Sequence, residues 1–186
     1  MAGTHERLQR VSATAQRLAH RHRGEPFEAS ALIAAPPRRV LDVLSDTACI
    51  RLWFPIPCEF DDGETRLRSG GSYRVSGRLA GRTVHGQLSV FEGSAEHVAI
   101  RLAGPVVFDL DAVLSTVDRA TVDVPGEPPL RAESVATAVT RADVTVSVHP
   151  GGGFASRVLT PAASALLRSG ALARTVDAIR AIAEDG

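Results

Sequence analysis

Two residue types are missing from this chain altogether. Its 186 residues include 21 basic side chains, every one an arginine, and there is no asparagine. Without lysine there is no Schiff-base chemistry, no pyridoxal-phosphate anchor, no P-loop lysine and no serine–lysine dyad. Without asparagine there is no N-glycosylation acceptor. Aromatic residues are scarce, at 4% of the chain, with a single tyrosine and a single tryptophan. The use of arginine for every basic position, beside abundant alanine, is the imprint of GC-rich codons. It points to a high-GC bacterial source and is not read as function.

An excess of charge is also absent, because 21 acidic residues balance the 21 basic ones. Proteins that meet nucleic acid or an anionic membrane usually carry a basic surplus, so neither a nucleic-acid partner nor a general attraction to an anionic membrane is expected, although local clusters remain open. The longest hydrophobic stretches, residues 105–110 and 178–183, fall far short of the roughly 20 apolar residues that a membrane span needs. No membrane insertion is expected. Near the N-terminus Glu6, Arg7, Arg10 and Arg17 occupy the place where the apolar core of a signal peptide would sit, which points to the cytoplasm. Cys49 and Cys58, the only cysteines, form neither a CxxC motif nor a disulfide framework and are expected as reduced, partly buried thiols.

What is present is periodic. Residues 5–22 place Leu8, Val11, Ala15 and Leu18 at helical spacing, which predicts an amphipathic N-terminal helix over roughly residues 1–24, ahead of one domain from 25 to 186. Its apolar stripe needs a cover, either the body of the protein or a second copy in a homodimer. His20 and His22 end it among arginines, whose charge opposes a bound divalent ion. Residues 27–33 read as a first strand. Pro37 then suits the first turn of a short helix with Val40, Leu41 and Leu44 on one face, and a second short helix runs through Ile50, Leu52 and Trp53 to Pro55.

The middle of the chain alternates with period two. Tyr73, Val75, Gly77 and Leu79 share one face, opposed by Ser72, Arg74, Ser76 and Arg78. After a turn at residues 80–82, Val84, Gly86, Leu88 and Val90 continue the apolar face, followed by Val98, Ile100 and Leu102, and then by Phe108, Leu110, Ala112 and Leu114. Four strands of an antiparallel meander are predicted. Residues 122–130, rich in proline, read as a loop. From 131 to 149 the alternation resumes, as one long bent strand or a hairpin. Residues 156–184 read as a long helix with Leu159, Ala163, Leu166, Leu172, Val176, Ile179 and Ala183 toward the core.

This order resembles the START-like helix-grip superfamily, also called SRPBCC, which includes polyketide cyclase/dehydrase-like and lipid-transfer proteins. The likeness is carried by Ala35-Pro36-Pro37, by VLDVLSD at 40–46, by Trp53-Phe54-Pro55 and by the closing run 170–184. It covers about residues 26–184 and leaves the N-terminal helix outside. The resemblance implies an α+β fold in which a curved antiparallel sheet wraps around the long C-terminal helix. It also implies a cavity between them for an apolar ligand such as a lipid, polyketide or isoprenoid, with Trp53 and Phe54 near its mouth. The small residues on the apolar face, Gly77, Gly86, Ala112, Ala132, Ser134, Ala136 and Ala138, fit either a void or a helix packed close to the sheet.

The expected wall is Trp53, Phe54, Tyr73, Val75, Leu88, Phe108, Leu110 and Leu166. A cyclase or dehydratase would need an inward acid or base, and the inward set offers Tyr73 and a few hydroxyls such as Ser134 and Thr116. Tyr73 is therefore the one weak catalytic candidate, with a core aromatic as the alternative. His85, Arg101, Asp109 and Asp111 fall on the opposite face, as do His97 and His149, so cross-strand ion pairs account for them better than a metal site. The glycines at 151–153 lack the spacing of a phosphate loop and serve as a flexible lead into the last helix. Neither a metal nor a cofactor is expected. Three readings stand: a ligand-binding protein, a polyketide-acting enzyme, and an interaction module that works through residues 5–22.

Overall fold

The computed structural model describes residues 25–61, 63–117 and 138–185. The expected N-terminal helix, the proline-rich loop and Ala132, Ser134 and Ala136 lie outside the described residues. The elements in chain order are β1 (Glu25–Ile33), α1 (Pro37–Ser45), α2 (Thr47–Trp53), β2 (Cys58–Phe60), β3 (Ser72–Leu79), β4 (Arg82–Gly93), β5 (His97–Ala103), β6 (Val106–Val117) and β7 (Val139–Pro150). Two helical segments close the fold, α3 (Ser156–Leu166) and α4 (Leu172–Glu184), joined through a five-residue π-type turn, Leu167–Ala171. The architecture is α+β, with a seven-stranded antiparallel sheet in the order β1-β7-β6-β5-β4-β3-β2 packed against the C-terminal helical span.

Alternation places the core. Val75, Leu79, Leu88, Val90, Val98, Ile100, Phe108, Ala112, Leu114, Val144, Val146 and Val148 are all buried on the helix-facing side of the sheet. Against them pack Leu159, Ala163, Leu167, Leu172, Val176 and Ile179 from the closing helices. The tight turn between β3 and β4 is built by Ala80 (φ 50) and Gly81 (φ 74), both left-handed as a two-residue hairpin connection requires. Between β4 and β5 the register shifts at Val90/Glu92, which leaves Phe91 as the extra residue of a bulge, 53% exposed.

Two short helices cross one end of the core, and Asp46 is their joint. It caps α1, and its carboxylate accepts from the amides of Ala48 (2.7 Å) and Cys49 (3.3 Å) at the start of α2. Asp42 pairs with Arg66, and the Thr47 hydroxyl donates to the Glu64 carbonyl at 2.6 Å, so the segment before β3 is tied to both helices. β2 is too short to show as alternation in the sequence: three residues between Pro57 and Asp61 pair with β3 at Cys58↔Gly77, Glu59↔Ser76 and Phe60↔Val75.

The closing helix is not continuous. At Gly170 the backbone turns left-handed (φ 83, ψ 18), and the two halves meet across this kink. The extra residue shifts the helical phase, so Leu167, Ala171 and Leu172 all face the core, whereas Leu166 is only partly buried. A Cβ at position 170 would meet nothing nearer than 3.7 Å, so the cost of a side chain there is conformational rather than steric. Gly170→Ala is expected to lower unfolding free energy by about 1–2 kcal/mol, measured by urea denaturation. An unchanged midpoint would mean that the kink does not need glycine.

Candidate functional site

The space between sheet and helices is divided into three small apolar cells. The first, about 40 Å³, lies inside the β3–β4 hairpin against Val75, Gly77, Leu79 and Val84, with Ile56 and Cys58 on one side and Val106 on the other. The second, about 30 Å³, lies under the helical kink, between Trp53, Leu110 and Val146 and the helix residues Leu166, Leu172 and Thr175. The third, also about 30 Å³, is bounded by Ile50, Leu67, Leu88 and Ile100. Phe54 and Phe108 line all three cells. Their two rings are thus partitions common to all the cells, with Trp53, Ile56, Leu102 and Leu110 each shared by two. Each cell has room for a water or two, but apolar walls give water few partners.

Seven of the eight wall residues expected from sequence line these cells: Trp53, Phe54, Val75, Leu88, Phe108, Leu110 and Leu166. Tyr73 stands apart. Its ring is buried, and its hydroxyl accepts a hydrogen bond from the Arg68 amide at 2.8 Å, which holds the segment before β3 in place. It lines none of the three cells. Sequence reasoning did not find Ile56, Cys58 or Thr175, because the first two lie in a proline-interrupted stretch and the third depends on the phase shift at Gly170. Thr175 is 3% exposed, and its hydroxyl oxygen has no hydrogen-bond partner.

Trp53 is fixed from both sides. Its indole N–H donates to the Val43 carbonyl at 3.1 Å, and Phe54 meets it edge-on with ring centroids 5.8 Å apart. Phe54 itself is only partly buried, so of the two partitions it is the one nearer solvent. Burial pushes the Cys58 thiol above its ordinary value, with Arg51 opposing and Glu59 reinforcing the shift, so it stays protonated beside the first cell. A roomier cleft of about 180 Å³ adjoins the third cell at Leu67 and Ile100, between Leu41 and Leu44 of α1 and Val90 and Val98 of the sheet, with Arg66 and Arg68 among its lining residues.

The opposite face of the sheet carries the charged residues, and they pair across strands. Arg101 and Asp109 sit directly opposite each other and form a bidentate pair, at 2.6 and 3.0 Å, and His149 approaches the same carboxylate at 3.2 Å. His97 lies between Glu92 and Asp111, each 2.9 Å from a different ring nitrogen. The outward register is therefore not simply a solvent coat: His97 is 1% and His149 6% exposed. Among the described residues no group of three or more His, Cys, Asp or Glu is arranged to hold a metal ion.

Because both acceptors on His97 are carboxylates, both ring nitrogens must donate, and the ring is held as imidazolium. Its pKa is raised from 6.5 to about 9, chiefly by the hydrogen bond to Asp111 and further by Glu92, against the opposing effect of burial.

No family model and no curated protein matches this sequence. Solved structures do match in fold. A START superfamily protein from Mycobacterium smegmatis aligns with a TM-score of 0.51 at 16% identity, over 87% of this chain and 99% of that one. Ara h 8.0201 aligns with a TM-score of 0.50 at 12% identity, over 87% and 99%. The di-domain ARO/CYC BexL from the BE-7585A biosynthetic pathway aligns with a TM-score of 0.50 at 12% identity, over 86% of this chain and 46% of that chain. The fold is the START-like helix-grip fold.

The His97 clasp sets a pH dependence. Its folded pKa is raised, so its contribution is complete below the unfolded value of about 6.5 and is lost as pH rises through about 9. Wild-type stability is expected to fall by about 1–3 kcal/mol across that window, and His97→Gln is expected to flatten the fall. Urea midpoints at pH 6 and pH 9.5 for the two proteins check this. Parallel pH profiles would show that the clasp is not the cause.

Proposed function

We propose that this START-like helix-grip protein binds one apolar small molecule of the lipid, polyketide or isoprenoid kind between its sheet and its closing helices. The observation that supports this reading is the tract of three apolar cells that all have Phe54 and Phe108 among their walls. Such gaps forfeit contact energy along their walls, and their gathering around the same two rings marks the loosest part of the core. Each cell alone is too small for a ligand. Rotation of the two rings would join them, and the ligand would then replace the contacts the voids lack. Burying about 200 Å² of ligand surface contributes about 5 kcal/mol before the cost of immobilisation.

Binding is favoured over catalysis by the chemistry of the walls. Carbon chemistry on a poly-β-ketone needs a proton donor or acceptor within reach of the substrate. The Tyr73 hydroxyl lines none of the cells and accepts from the Arg68 amide, and His97, His149 and their carboxylate partners lie on the far side of the sheet; the titratable groups at the cells are His85, exposed at the rim of the first, and the Cys58 thiol, which burial keeps protonated. The hydroxyl of Thr175 remains as a hydrogen-bonding group that could orient a single polar atom of an otherwise apolar ligand.

Native mass spectrometry with a panel of long-chain fatty acids, isoprenoid alcohols and polycyclic aromatics tests the reading. One-to-one complexes are expected for at least one class. Val84→Trp, which fills the first cell from its half-buried edge, is expected to weaken them at least several-fold. Failure of every class to bind, or affinities indifferent to the filling substitution, would overturn the proposal.

A further inference from the structure

Three connections meet at one end of the sheet. The β3–β4 hairpin runs past its neighbours, because β4 first pairs with β5 at Gln87↔Ala103 and residues 82–86 lie beyond that point. The β5–β6 turn at Gly104 and Pro105 ends beside it, and the Gly151 amide donates to the Pro105 carbonyl at 3.0 Å, which brings the β7–α3 connection to the same end. On that connection and the first turn of α3 two large apolar side chains stand in solvent: Phe154 is 80% and Val158 57% exposed. The guanidinium of Arg157 lies over the Phe154 ring at 6.0 Å.

Cations predominate on the connections at this end. Residues 75–91, 103–108 and 148–164 contain no aspartate or glutamate, in a chain whose charges otherwise balance. Arg78 and Arg82 flank the hairpin tip, and with Arg157 they are exposed and form no ion pair among the described residues. The acidic residues nearest this end are Glu25, whose register partner on β7 is Val148, Glu59, opposite Ser76 on β3, and Asp109, which is already paired with Arg101. Two exposed apolar side chains are too few for a stable protein interface, which buries on the order of 1,000 Å² or more. A symmetric contact between two copies would also set these arginines against their own counterparts. A lipid surface asks for less: a few apolar side chains at the acyl boundary and cations at headgroup level.

We propose that this end of the molecule docks reversibly on an anionic lipid surface, with Phe154 and Val158 entering the boundary and Arg78, Arg82 and Arg157 held among the headgroups. Docking here is peripheral and involves no spanning segment; no helix among the described residues is long and apolar enough to cross a membrane. The first apolar cell lies behind the same hairpin, so a docked molecule would face its source of apolar ligand. The docking proposal does not depend on that exchange.

Cosedimentation of the full chain with vesicles tests it, comparing pure phosphatidylcholine with phosphatidylcholine containing about a third phosphatidylglycerol, at about 0.1 and 0.5 M NaCl. Binding to the anionic vesicles at low salt is expected, with little to the neutral ones. Each arginine should contribute about fivefold, so Arg78→Gln/Arg82→Gln/Arg157→Gln is expected to lose more than tenfold. Phe154→Ser/Val158→Ser is expected to lose on the order of tenfold. Both variants change only exposed positions, and far-UV circular dichroism with the apolar-ligand panel checks that they remain folded. Absence of binding, equal binding to both vesicles, or binding that neither variant weakens would overturn the proposal. So would a lipid-free dimer that Phe154→Ser/Val158→Ser dissociates. A protein that docks but retains no apolar ligand would refute the cavity reading alone.

Discussion

A seven-stranded antiparallel sheet can satisfy its backbone internally, but one of its faces must be kept from water, and the rest of this molecule is arranged around that face. Period-two alternation gives β3 through β7 an apolar side, and the curvature of the sheet turns that side inward. Straight packing of a helix against a curved surface leaves gaps where side chains are small. The kink at Gly170 lets the helical span bend and change phase, so that it fills much of the gap with Leu167, Ala171 and Leu172. What remains is the apolar tract around Phe54 and Phe108. Cavity and kink are two results of the same geometric mismatch.

The opposite face meets a different constraint. Direct cross-strand neighbours there are charged, and each carboxylate near the centre finds a cation on an adjacent strand: Asp109 finds Arg101 and His149, and Asp111 finds His97. The two imidazoles are buried, while the carboxylates that face them stay partly open to solvent. These pairs stitch β4, β5, β6 and β7 together on the side where no apolar packing does so. The sheet is thus held by burial on one side and by paired charge on the other, and the chemistry of the inner side is left almost free of ionisable groups.

Much of this was legible in the sequence, for reasons that differ by element. Alternation located β3 to β6 and, of the residues that line the cells, Val75, Leu88, Phe108 and Leu110, because a one-residue error would have placed Arg74, Arg78 or Asp109 in the core. Pro37 and Asp46 marked the two short helices. β2 was not legible, since three residues between Pro57 and Asp61 carry no period. Gly170 reads as a tolerated glycine in a helix, and only the backbone shows that it redirects the residues after it; Thr175 was missed for that reason. His97 and His149 were correctly placed on the outward register, yet register says nothing about depth, and both are buried. Tyr73 was placed on the inward side, but the engagement of its hydroxyl by Arg68 depends on a turn that the pattern does not encode.

The pairing of β1 with β7 has a consequence for how the chain comes to be folded. The hydroxyl of Thr140 closes onto the carbonyl of Ala35 from 105 positions away, and every partner of β1 in the sheet lies at a similar separation. During synthesis β1 emerges before the other described strands and waits for its neighbour among them, which at roughly 5–20 residues per second takes about 5–20 s to arrive. For that interval Phe27, Leu32 and Ile33 have no strand to pair with, while the local hairpins from β3 to β6 can already form. Closure of the sheet, and with it the first appearance of an enclosed interior, is therefore a late and long-range step, set by the translating ribosome as much as by the sequence.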